Sequence, residues 1–123
     1  MWTKESAKAY SKQWYKSHAA AKIADVKVRR KADPDKYRNI ELKKWYGITL
    51  DDKRNMFDKQ DGKCAICSTN FIDFNKAHVD HNHITKKVRG LLCRNCNLVL
   101  GHAQDNFQVL QKAALYLTTR DAA

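Results

Sequence analysis

The sequence has little that bends or interrupts a chain: one proline and four glycines in 123 residues. No stretch of it is low-complexity. It also lacks an apolar run near the roughly 20 residues that a membrane span requires, so no membrane association is expected. The opening Met-Trp-Thr-Lys-Glu-Ser has none of the apolar core of an export signal, which points to a reducing cytoplasm. Acid is scarce as well, with 13 Asp and Glu against 24 Lys and Arg for a formal net charge of +11. A field of that sign draws phosphate polyanions or anionic lipid. Cysteines number only four. In a reducing compartment four cysteines are more often metal ligands than disulfides. A chain this short buries one modest core and often needs a staple.

What is present is unevenly spread. Residues 1–47 hold 13 Lys or Arg and 5 Asp or Glu, whereas residues 48–123 hold 11 and 8. The expected division is therefore a basic helical arm over 1–47 and a chemical domain over 48–123. Residues 3–31 predict a helix, since no Gly or Pro breaks them. Ala7, Tyr10, Trp14, Ala21, Ala24 and Val28 follow a seven-residue seam, with Ser17 as its weak position. That seam can pack on the domain or on a second subunit. Lys4, Lys8, Lys12 and Lys16 line another face, either solvated or tracking phosphates. Pro34 starts a second helix that stops at Gly47. Thr49 caps a third over residues 50–60, with Met56 and Phe57 on its buried face. A last helix is expected over 105–119, opened by Asp105 and Gln108 at capping-box spacing. Its stripe of Phe107, Leu110, Ala114 and Leu117 reads as core.

Two Cys-x2-Cys pairs, Cys64/Cys67 and Cys93/Cys96, sit about 25 residues apart, a spacing that favours a tetrahedral zinc. Four thiolates close the coordination shell, so this metal would staple the fold and not touch substrate. Between the pairs lies Ala77-His78-Val79-Asp80-His81-Asn82-His83. Three histidines beside a carboxylate in a framed segment point to chemistry more than to packing. Residues 77–81 alternate like a strand. Residues 84–92 read as a turn and second strand, and 93–100 as a helix stopped by Gly101. The order is strand, strand, helix.

These residues carry a resemblance. The order Cys-x2-Cys, His78-x-Asp80-His81-x-His83 and Val88-Arg-Gly-Leu-Leu-Cys-x2-Cys-Asn97 is similar to the phage recombination endonuclease VII family, within the His-Me finger (HNH) nucleases. Tyr46 to Thr49, Gln60-x-Gly62-x-Cys64, and Leu100 to His102 with Asp105-Asn106 also look like that family. The likeness covers roughly residues 45–118. It implies an α+β fold: a small ββα-metal finger stapled by a four-cysteine zinc site, with basic N-terminal helices and a C-terminal helix. It further implies a metal-dependent endonuclease hydrolysing phosphodiesters of branched DNA such as four-way junctions. Asp80 and Asn97 would bind Mg²⁺ or Mn²⁺, His81 would be the general base, and His83 would contact the scissile phosphate or orient the site. His78 points by alternation to the strand face of Asp80. Lys86, Lys87, Arg89 and Arg94 would hold phosphates. If the chain is phage-encoded, it would act in the host cytoplasm.

Other readings stay open: a nicking or non-specific HNH endonuclease on duplex DNA, a non-catalytic zinc-finger module, or a structural protein using zinc as a staple. Asp80, His81 and Asn97 separate the first from the other two, because a pure binding module has no need of an acid where phosphate sits. Cutting both strands of a branch calls for two centres, so a homodimer is expected.

Overall fold

The computed structural model describes residues 3–121; Met1, Trp2, Ala122 and Ala123, at the outer ends of the expected arm and domain, lie outside the described residues. Five helices and one two-stranded sheet are described: α1 (Lys4–Ala32), α2 (Pro34–Tyr46), α3 (Leu50–Lys59), β1 (His78–His81), β2 (Val88–Leu92), α4 (Arg94–His102) and α5 (Phe107–Arg120). This is a mixed helical fold around a small antiparallel sheet. The chain forms two compact units, Met1–Glu41 and Leu42–Ala123, and α2 passes from one into the other. No helix among the described residues is long and apolar enough to cross a membrane.

In the first unit, Thr3 caps α1 through a capping box with Ser6. Asp33 ends that helix and also receives the Lys36 N–H at 3.1 Å, which starts the next. No residue of α1 is buried, and Tyr10, Trp14 and Val28 of the seven-residue seam are exposed.

The second unit holds the core: Leu42, Leu50, Cys64, Ala77, Leu91 and Leu92, with Asp80 as its buried polar member. Gly47 ends α2 with φ +68, a conformation that disfavours a side chain, and its N–H reaches Lys43 O at 3.1 Å. Thr49 caps α3 as expected and pairs with Asp52 in a capping box. Met56 and Phe57 are half-buried. A short 3₁₀ turn at Phe74–Lys76 leads into β1.

The hairpin is short because its turn is tied down. Asn82 Oδ1 accepts the Ile84 and Thr85 N–H groups at 2.8 and 2.9 Å, and Lys86 takes φ +64. In register, Asp80 faces Gly90 and His81 faces Val88, so Arg89 is the extra residue of a bulge.

Three sequence expectations need correction. Gly101 does not stop α4, which runs through it to His102. Asp105 does not cap α5; Asn106 does, accepting the Val109 N–H at 3.1 Å. The stripe on α5 is not core either, since Phe107 and Leu117 are exposed and α5 has no buried residue. Periodicity fixes which face is apolar but not what covers it.

Gln60 links α3 to the sheet in place of a third strand. Its Nε2 donates to Lys63 O and Leu91 O at 2.8 and 2.9 Å, and its Oε1 accepts the Leu91 N–H at 3.0 Å. The absent side chain of Gly90 makes this possible, because a Cβ there would meet Gln60 Oε1 at 3.3 Å. Gln60→Ala should leave the N–H of fully buried Leu91 without its partner, while Leu91 O keeps the Ala65 N–H, and cost about 1–3 kcal/mol. Urea denaturation of the zinc-loaded chain checks this, and an unchanged midpoint would contradict it.

Candidate metal centre and active site

The two cysteine pairs come from different elements. Cys64 begins a tight knuckle after α3: its N–H donates to Thr69 O at 2.9 Å, and Ser68, with φ +60, returns its N–H to Cys64 O at 3.0 Å. The knuckle is tied to the sheet by Ala65 N–H on Leu91 O at 3.1 Å. Cys93 follows β2 directly and caps α4, its Sγ accepting the Cys96 N–H at 3.4 Å. A thiolate at a helix N-terminus is favoured by the exposed N–H groups there.

All four cysteines are free, and their Sγ atoms lie within 4.8 Å of one another. Cys67 and Cys93 Sγ are 3.8 Å apart. Sulfurs bound tetrahedrally to one ion at about 2.3 Å would be separated by about 3.8 Å. The donor set and spacing therefore fit a structural metal such as zinc. The thiols divide accordingly: the Thr69 hydroxyl and N–H hold Cys67 down at about 6, while burial and the neighbouring cysteines push Cys96 up to about 12. Four thiolates this close repel, so a proton remains among them unless a cation takes its place.

The histidine segment opens on a second feature. A cleft of about 420 Å³ is lined by Asp80, His81, His83 and Asn97, together with Tyr46, Gly101, His102 and Asp105. Asp80 and His81 come from β1, His83 from the turn, and Asn97 from the first turns of α4. Asn97 follows Cys96, so the helix that carries the second thiol pair also carries this amide. Its side chain makes no hydrogen bond among the described residues. The His81 ring packs 5.3 Å from the Tyr46 ring, edge-on, and 4.7 Å from that of His83.

Asp80 is 7% exposed, and its charge is met by Arg89. Arg89 Nε donates to Oδ2 at 2.7 Å and its Nη2 to Oδ1 at 2.9 Å. The same guanidinium reaches Asp105 Oδ1 at 3.2 Å. These acceptors, Asp80 foremost, raise the Arg89 pKa above its ordinary value. Each Asp80 oxygen keeps a lone pair beyond its bond to Arg89. A buried carboxylate and an unengaged amide oxygen in one cleft suit a hard divalent cation.

The remaining site residues are placed apart. Lys86 and Lys87 are exposed on the hairpin turn. Arg94 lines a separate depression with His78, Lys76 and Cys93, so exposed His78 does not join the Asp80 cleft. Arg89, expected to hold phosphate, is engaged by two carboxylates. The sequence alone assigned Tyr46 no role and Asp105 only that of a helix cap, although both lie in the short stretches that look like the family.

Four close cysteines that could hold a metal thus stand on a mixed fold of helices and a small antiparallel sheet, which also carries a cleft of carboxylate, histidines and amide. Residues 39–119, well over half the chain, match the model of the recombination endonuclease VII family, and the chain belongs to that family. It is also 42% identical over 73 residues to the gene 59 protein of Mycobacterium phage D29, and 41% identical over 73 residues to that of Mycobacterium phage L5. Each match covers 58% of this chain and 44% of the relative, so the chain spans less than half the length of these proteins.

The cage makes its own prediction. Cys93→Ser should remove tight zinc and lower thermal stability together, because the ligand is also the cap of α4. Elemental analysis alongside a circular-dichroism melt checks it; a folded, active protein without zinc would contradict the assignment.

Proposed function

We propose that this chain is a metal-dependent DNA endonuclease of the His-Me finger (HNH) type, in which the four cysteines hold a structural zinc. The supporting observation is the single cleft that brings Asp80, His81, His83 and Asn97 together. Asp80 and Asn97 would hold one hard divalent cation, Mg²⁺ or Mn²⁺, whose charge neutralises the scissile phosphate and the departing oxygen. His81 takes a proton from the attacking water as general base. Tyr46 and His83 flank that ring and restrict its rotation. His83, at the rim, contacts the phosphate. Lys86, Lys87 and Arg94 supply positive charge on the surface for the DNA backbone. The basic arm, residues 1–47, adds affinity to the nuclease domain, residues 48–123. The reaction would take place in the host cytoplasm if the source is a phage.

His81→Ala should keep zinc, fold and DNA binding yet lose cleavage by about 10²–10⁴-fold, the scale of a general base. Asp80→Ala and Asn97→Ala should instead shift the dependence of cleavage on Mg²⁺. Near-wild-type cleavage by His81→Ala would remove it from the mechanism.

The substrate is branched DNA, and the active form is a homodimer. The exposed apolar residues of α1 (Tyr10, Trp14, Val28) and α5 (Phe107, Leu115, Tyr116, Leu117) are more than a lone small domain usually leaves uncovered. Two centres related by a two-fold axis would match the approximate symmetry of a four-way junction. Light scattering at micromolar protein should give a dimer, and a four-way junction should be cut in preference to linear duplex of the same sequence. A monomer that cuts both equally would leave a general nicking endonuclease.

A further inference from the structure

We propose that Asp105 and Arg89 are a positioning pair that fixes the carboxylate of Asp80 in the orientation its cation requires. The inference rests on the nuclease reading of the Asp80 cleft and adds two residues to it.

Two local irregularities of the backbone converge on one ion pair. The first is the bulge in β2. In regular antiparallel register Arg89 would stand opposite His81, and its side chain would leave by the face opposite to that of Asp80. The extra residue lets His81 pair with Val88 and turns Arg89 onto the Asp80 side. The second is the junction between α4 and α5, where Gln104 and Asp105 both adopt left-handed backbone, φ +52 and +55. Two successive non-glycine residues in that region are held there by their surroundings. Asp105 does not repay this by capping α5, since Asn106 performs that task. Its carboxylate goes instead to Arg89, at 3.2 Å.

The pair acts through geometry. Arg89 meets both oxygens of Asp80 with two nitrogens, an arrangement that fixes the plane of the carboxylate as well as its position. Asp105 Oδ1 accepts from the same Nη2 that donates to Asp80, at 3.2 Å, and both acids line the cleft. A ligand carboxylate oriented by a further partner binds its metal more tightly than a loose one, commonly by about 10–100-fold.

The test uses the full, zinc-loaded chain with Mn²⁺ as the probe, its binding followed by electron paramagnetic resonance without DNA. Asp105→Asn and Arg89→Lys should each weaken Mn²⁺ binding by about 10–100-fold. Zinc content, circular dichroism and DNA affinity should stay as in the wild type. Lysine keeps the charge but cannot span both oxygens, so its failure to rescue marks geometry and not charge as the cause. If Asp105→Asn loses zinc or fold, Asp105→Gly replaces it, because glycine accepts the left-handed backbone while still lacking the carboxylate. Wild-type Mn²⁺ affinity in Arg89→Lys and in the folded Asp105 variant would overturn the proposal. So would an Arg89→Lys chain whose only change is weaker DNA binding with a flatter salt dependence, the signature of a lost phosphate contact. A wild-type chain that binds no second cation would instead defeat the nuclease reading, and the positioning pair with it.

Discussion

Four thiols drawn to within 4.8 Å of one another are the constraint on which the rest of the second unit depends. The apolar core there is small: among the described residues six are buried and Leu91 alone is fully enclosed. Such a core does little to fix the relation of a knuckle, a hairpin and a helix. The cage does so directly, because Cys64 and Cys67 sit on the knuckle after α3 while Cys93 and Cys96 open α4. Coordination energy is folding energy in a domain of this kind. The cleft follows from it: β1 is paired to β2, β2 runs into Cys93, and Asn97 stands one residue past the last thiol.

In the proposed function the cage and cleft would use different chemistry for different ends. A closed shell of soft thiolates would hold its ion away from substrate, whereas a carboxylate and an amide would leave positions open for water and phosphate. The backbone is irregular at the hairpin and at the junction of α4 and α5, with a bulge at Arg89 and left-handed residues at Lys86, Gln104 and Asp105. Regular hairpin geometry would have sent Arg89 away from Asp80 and left a buried acid without its counter-charge, a costly state.

Much of this was legible in the residues. The absence of Gly and Pro gave α1, Pro34 and Gly47 marked the ends of α2, and cysteine spacing gave the cage, because each signal is local. The expected grouping of Asp80, His81, His83 and Asn97 coincides with one cleft, since a short hairpin and one helical turn suffice to assemble it. What escaped depends on contacts distant in sequence. Capping-box spacing favours Asp105, with Gln108 three residues on, yet Asn106 caps α5 and the Asp105 carboxylate bonds to Arg89. Nothing in Val88-Arg-Gly-Leu-Leu announces a bulge. Gln60 reads as a helix end, and its pairing with Leu91 across 31 positions is visible only in three dimensions. The α5 stripe reads as core, yet Phe107 and Leu117 are exposed, since a period carries no information about a partner.

In the proposed function one ion staples the fold and a different one serves the chemistry. The most direct measurement is cleavage of a four-way junction by protein carrying one zinc, freed of every other divalent ion and then titrated with Mg²⁺. No cleavage is expected before the titration and full cleavage after it, with zinc content constant at one per chain throughout. Cleavage by the zinc-only protein, or activity that appears only as zinc is displaced, would contradict it.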